Sequence, residues 1–448
     1  MHRRIRMLMA ALVLPVTAVL PACRAVEDVR DYFLDAVTPH ERYAASLLAA
    51  GLEGTALAGD WLLAAKRSLE QPVAISAPYA EDGFLPTNEP TAIAYRLSAR
   101  RGQRFLINAH LPADSNALLF LDVFQVPADT LDPLRDVASA DSGSASLEFE
   151  PRRDTDYIIR FQPEVLRGGR YTIEIRAEPM LAFPVHGHNA PDIGSVFGDP
   201  RDGGVRDHHG VDIFAPRGTP ALAAIEATVS RVETTPRGGN VVWLRATGRG
   251  VSLYYAHLDS QTVSQGMRVE IGDTVGLVGN TGNARTTPPH LHFGVYQRGP
   301  VDPYPFVYYP RGTMPRLAVD TTLIGGWTRV TRNGVTLRPT VSVDATPIAE
   351  IPQHTAMRVL AGSGSLLRVR LPDGRSGFVS ADFAELATQP IGETRLAPGD
   401  RLHVSPDPNS VVLDLVDADE AVDILGRFGD FLFVRPSRGP AGWVNGQY

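Results

Sequence analysis

The sequence predicts a mainly β chain built from several domains, and three observations carry that reading. From about residue 72 to 177 apolar residues alternate with a period of two, as in half-buried strands. From residue 318 onward a unit of about sixty residues occurs twice, each copy closing on Gly-aromatic-Val. Helical spacing is confined to a short stretch before residue 70. With 448 residues, 41 glycines and 36 prolines, the chain has the length and the turn residues for several modest domains. Its net charge of -7, with no basic run beyond the first residues, argues against nucleic acid as a partner.

Met1-His2-Arg3-Arg4-Ile5-Arg6 is a basic start, and an apolar stretch from Met7 to Ala22 follows, interrupted by Pro15 and Pro21. A membrane span needs about twenty apolar residues, so 1–22 reads as a secretory signal peptide. It closes on Leu20-Pro21-Ala22-Cys23, and Cys23 is the only cysteine. The pattern resembles a bacterial lipobox, which implies cleavage before Cys23 and lipidation of its thiol; an ordinary signal cleaved near Ala25 is the alternative. Arg24, where an aspartate would resemble an inner-membrane sorting signal, favours a periplasm-facing lipoprotein of the outer membrane, held by its N-terminal lipid anchor.

Residues 24–70 read as a helical hairpin serving as a spacer. Thr38-Pro39-His40-Glu41 has the form of an N-cap, a first-turn proline and a capping-box glutamate. Tyr43, Leu47 and Leu48 recur at helical spacing, Gly51 and Gly54 interrupt, and Leu57, Trp61, Leu62 and Ala65 make a second helix. Residues 71–178 read as an accessory β-sandwich, with Arg167-Gly168-Gly169-Arg170 as a hairpin turn between its last two strands.

Seven of the twelve histidines fall between positions 186 and 292. Side chains alternate faces along a strand, so His290 and His292 point one way while Leu291 points into the core. His208-His209-Gly210-Val211-Asp212 offers an imidazole and a carboxylate four residues apart, and Tyr254-Tyr255-Ala256-His257-Leu258 ends another strand-like run in a histidine. Two histidines and a carboxylate are a normal ligand set for a catalytic zinc. His208, Asp212 and His292 fit that set, with His209 a minor alternative to His208, and His257 and His290 are left beside the ion as acid/base groups. His186, His188 and His209, taken singly, read as loop or core histidines.

These segments arrive with Phe197-Gly198, Ala215-Pro216-Arg217-Gly218-Thr219-Pro220, Val278-Gly279-Asn280-Thr281-Gly282 and His290-Leu291-His292-Phe293. In that order they resemble the lysostaphin-like, or LytM, zinc metallopeptidases of family M23, over about Phe183 to Val307. The resemblance implies a LytM-type antiparallel β peptidase domain at 179–312. It also implies Zn2+ held by His208, Asp212 and His292. His257 and His290 would then serve the water and the oxyanion, with the division of labour between them open. Gly279 and Gly282 are expected to let backbone approach the substrate. Arg285-Thr286-Thr287-Pro288-Pro289 departs from the usual approach to the final triplet, and Ala227 stands where a glycine often does; neither touches the ligands.

The repeated tail, 318–388 and 389–448, resembles two bacterial SH3-like barrels whose Phe378 and Trp443 plug their own cores. Together these features imply a zinc endopeptidase that cuts the stem-peptide cross-links of peptidoglycan in the bacterial cell envelope. The alternative is a LytM-fold regulatory protein that binds the wall and activates an amidase without turning over substrate; either could answer to an envelope regulator.

Overall fold

The computed structural model of the protein describes residues 38–52, 54–111, 117–141, 145–310, 312–415 and 419–446. The signal peptide and Cys23 lie outside the described residues. The chain is mainly β, and among the described residues no helix is long and apolar enough to cross a membrane.

Thr38 caps the helix Pro39–Ala49 through the expected box: its hydroxyl accepts from the Glu41 N–H at 3.1 Å, and the Glu41 carboxylate accepts from the Thr38 N–H at 3.0 Å. Thr55 caps the second helix, Ala56–Glu70. The hairpin is no spacer, because its apolar stripe is docked on a sheet. Trp61 is buried, stacks on His40 at 4.6 Å, meets Phe120, and donates its indole N–H to the Pro163 carbonyl at 2.8 Å. His40 shares a 2.8 Å hydrogen bond with Gln162, and burial pushes its pKa down to about 4.

That sheet orders Val73–Ala74, Ile93–Ala99, Thr155–Pro163, Leu119–Gln125 and Arg135–Ser139. Tyr79–Leu85, Gly169–Pro179, Gln103–His110 and Ser146–Phe149 lie side by side in a second sheet, and the two share one apolar core. The expected hairpin at 167–170 is therefore a crossover. Thr155–Pro163 pairs in the first sheet and Gly169–Pro179 in the second, because both strands bury apolar residues against the same core from opposite sides.

The second sheet does not stop at the accessory segment. Tyr79–Leu85 also pairs with Ala356–Ser363, so Leu366–Arg370 and Ser376–Ser380 extend it into one nine-stranded sheet that the sequence reading had divided. At the joint, Glu81 is fully buried and accepts hydrogen bonds from the hydroxyls of Tyr79 (2.6 Å), Tyr95 (2.7 Å) and Tyr171 (2.5 Å). Arg368 adds two more at 2.9 Å each. Burial alone would raise the Glu81 pKa, but the Arg368 guanidinium and the phenols hold it below the usual carboxylate range. Removing one partner of a buried pair strands the other charge, so Arg368→Leu should cost about 3–5 kcal/mol. Urea denaturation of the whole chain measures this, and an unchanged midpoint would contradict it.

The tail repeat is visible in the pairing. Ala356–Ser363, Leu366–Arg370 and Ser376–Ser380 form an antiparallel meander, and Ala421–Phe428, Phe431–Arg435 and Gly442–Asn445 form its counterpart. Both first strands bulge at matching places, between Val359 and Ala361 and between Ile424 and Gly426. Phe378 and Trp443 are buried, but Trp443 does not plug the core of its own copy as expected: with Phe433 of the same copy it packs against Trp327 and Ala356 of the other, because that face is covered by the neighbouring repeat.

Between these parts lies an antiparallel sheet ordered Ile193–Ser195, Val211–Phe214, His290–Tyr296, Ser252–Leu258, Gly239–Ala246, Ala227–Thr235 and Arg268–Val269. Val211, Ile213, Leu253, Tyr255, Leu291 and Phe293 turn into its core. Alternation then sends Asp212, His290 and His292 to the opposite face.

Candidate metal centre

Strand register builds the centre. Asp212 sits directly across from His292, and Ala256 flanks His292 on the other side, one residue short of His257. His208 comes from the loop that feeds the Asp212 strand. Gly210 between them is required by space: a Cβ there would lie 2.7 Å from the His292 ring and 2.6 Å from the Phe293 carbonyl.

Three lone-pair atoms converge on one point. His208 Nε2 lies 3.0 Å from Asp212 Oδ1 and 2.9 Å from His292 Nδ1, and His292 Nδ1 lies 2.9 Å from Asp212 Oδ1. Such atoms repel unless they share a proton or a cation. The donor set, two imidazoles and a carboxylate, suits a zinc ion with one position left open. His208 leaves Nε2 free because its Nδ1 hydrogen-bonds the Val196 carbonyl at 2.8 Å. Burial opposes ionisation of Asp212, yet hydrogen bonds from His208 and His292 hold its carboxyl far below the usual range. Burial lowers the pKa of His292, which favours the neutral imidazole that ligation needs.

His257 and His290 stand beside this cluster. The rings of His257 and His290 lie 5.1 Å apart, and His257 and His292 5.9 Å apart. His257 Nδ1 bonds the Thr281 carbonyl at 2.9 Å, and His290 Nδ1 bonds the Pro288 carbonyl at 2.9 Å. A carbonyl only accepts, so each Nδ1 carries its proton and each Nε2 is the free atom. The His290 Nε2 is 4.0 Å from Asp212 Oδ1. Burial, then the charges of His292 and His290, push the His257 pKa down to about 4.

The other histidines stay apart. His186 and His209 are exposed, His209 lying over Phe197, and His188 pairs with Asp192 at 3.2 Å. Gly279 and Gly282 are required by packing of backbone on backbone: a Cβ on Gly279 would meet Asp259 and the His257 carbonyl, and one on Gly282 would meet Gly239.

Sequence reasoning missed Arg201. Its Nη2 donates to Asp212 Oδ2 at 2.8 Å and to Ser195 Oγ at 2.5 Å. With Oδ2 engaged, Oδ1 alone faces the cluster and would be the oxygen offered to a metal. Arg201 lies in a short hairpin with no apolar period, so no pattern pointed to it. Loss of such an outer partner costs about 10–100-fold in metal affinity. Arg201→Ala should show that weakening in a chelator competition; unchanged affinity would mean that Asp212 is held without it.

A family model described as peptidase family M23 matches residues 206–303, and the chain carries an M23 peptidase family domain there. The peptidoglycan DD-endopeptidase ShyC of Vibrio cholerae is 38% identical over 94 residues, 21% of this chain and 21% of that protein. An L-Ala--D-Glu endopeptidase of Bacillus subtilis is 32% identical over 162 residues, 30% of this chain and 49% of that one. The lipoprotein YgeR of Escherichia coli K12 is 34% identical over 117 residues, 26% of this chain and 43% of that one. The chain thus spans about a fifth of the length of the first relative and under half of the other two.

Proposed function

We propose that the protein is a zinc-dependent endopeptidase that cuts peptide cross-links of peptidoglycan. The observation that carries this reading is the convergence of His208 Nε2, Asp212 Oδ1 and His292 Nδ1 with two further imidazoles whose Nε2 atoms are free. His208, Asp212 and His292 would hold the zinc, which would supply Lewis-acid chemistry: a water nucleophilic near neutral pH and a polarised carbonyl. His257 and His290 then move the protons: a free Nε2 takes one from the attacking water and returns one to the departing amine. Burial favours the neutral form of His257, whose Nε2 is the free atom. Relatives named as a peptidoglycan DD-endopeptidase and as an L-Ala--D-Glu endopeptidase support the substrate class and leave the bond to be read from products.

Purified cross-linked muropeptides, compared with a Gly-rich protein, test the reading. Dimers should fall to monomers while the protein stays intact. Cleavage of the protein alone would make this a general peptidase. Failure on both, with stimulation of an amidase, would favour the regulatory reading.

An envelope location goes with that substrate, and we place the lipid anchor at Cys23. Cys23→Ser should move the protein from the membrane pellet to the soluble fraction; continued pelleting would require another anchor.

A further inference from the structure

Trp243, Tyr254 and Tyr296 stand on three neighbouring strands of the metal-bearing sheet. Pairing fixes their place. Asp212, His292 and Ala256 form one row across the strands; Gly294, Tyr254, Trp243 and Arg231 form the next, two residues along. Residues two apart on a strand share a face, so the rings lie on the face that carries the metal ligands. Tyr254 meets the His292 ring edge-on at 5.8 Å, Trp243 lies 4.5 Å from Tyr254, and Tyr296 lies 5.0 Å from Trp243. Gly294 keeps this row low, since a Cβ there would come within 3.0 Å of the Tyr296 ring and 3.4 Å of Tyr254.

Aromatic pairs across strands stabilise a sheet, and that alone would explain rings resting on one another. It does not explain their polar ends. All three rings are half-buried, and among the described residues no group hydrogen-bonds the Trp243 indole N–H or the Tyr296 hydroxyl. Burial alone raises the Tyr296 pKa. Rings with an apolar face and a free donor suit a partner that is flat and apolar on one side and polar at its rim.

We propose that Trp243, Tyr254 and Tyr296 form a subsite for a sugar ring of the glycan strand, so that the wall polymer is gripped beside the bond to be cut. This rests on the peptidoglycan reading above. A stem peptide offers scattered methyl groups and carboxylates, with no single continuous apolar face to span three adjoining rings. A pyranose offers a face of C–H bonds to lie on the indole and hydroxyls to take its N–H and the Tyr296 O–H. The reach also fits. An extended chain advances about 3.3–3.6 Å per residue, so ring spacings of 5.8 and 4.5 Å carry the row to about three residues from the ligands. Stem peptides hang from the glycan by a chain of that order.

The test compares cross-linked muropeptide dimers that keep their disaccharides with the same dimers stripped of sugar by an amidase. Wild type should prefer the sugar-bearing dimer through a lower KM. Trp243→Ala should shrink that preference about tenfold, the scale of one lost aromatic stack, whereas Trp243→Phe, which keeps a ring, should retain most of it. Zinc content and melting temperature confirm that each variant is folded. An undiminished preference in Trp243→Ala, or equal KM values for both dimers in the wild type, would overturn the subsite. If zinc-loaded wild type cuts neither dimer, the endopeptidase reading fails separately. The subsite is then decided by titrating peptide-free glycan chains: binding by wild type that Trp243→Ala loses supports it, and no binding overturns it.

Discussion

On the proposed ligand assignment, replacing His292 or Asp212 with alanine should remove the metal together with the activity. Each supplies one of three ligand atoms that lie within about 3 Å of one another, so two ligands cannot replace the set. Affinity should fall by more than the about 10–100-fold expected for losing an outer partner. Asp212→Ala carries a second consequence. It removes the carboxylate that Arg201 Nη2 holds at 2.8 Å and leaves the guanidinium on Ser195, whose hydroxyl is also bonded to Asp199. Metal analysis after gel filtration reads the result directly. One zinc per chain retained by His292→Ala would overturn the ligand assignment.

His290→Ala separates chemistry from binding. Its Nδ1 is spent on the Pro288 carbonyl, and its Nε2 stands 4.0 Å from Asp212 Oδ1, beyond the three-atom cluster. Metal content should therefore hold near wild type while turnover falls by about 10²–10⁴-fold, the usual share of a positioned acid/base group. KM should change little, because the lost proton transfer belongs to the transition state. Loss of zinc in this variant would make His290 a ligand and move the open coordination position elsewhere.

Several parts of this architecture were legible in the sequence because local chemistry decides them. Thr38, Pro39 and Glu41 form a capping box whatever the rest of the chain does. His290-Leu291-His292 puts two imidazoles on one face wherever it is a strand, and register with Asp212 completes the cluster. The tail repeat shows in its periodic strands.

Other features depend on partners far away in the chain. The strand Tyr79–Leu85 turns Glu81 and Gly83 inward along with Tyr79 and Leu85, so it lacks the apolar alternation that marks a strand. Its charge becomes intelligible only with Arg368, 287 residues later. The crossover at 167–170 mimics a hairpin because two buried strands look alike whichever sheet they join. Gly279 and Gly282 show the same limit: their spacing was visible, but the close approach of Asp259 and Gly239 backbone that requires them was not. Arg201 carries no pattern at all, and its role exists only where its side chain ends.

The most direct measurement is digestion of purified peptidoglycan by the zinc-loaded mature chain, with and without a chelator, with products read by mass. A zinc endopeptidase should give loss of cross-linked dimers, a matching gain of monomers, full suppression by the chelator and recovery on adding zinc. Cleavage that persists after the metal is removed, or no cleavage by protein shown to hold one zinc per chain, would contradict that reading.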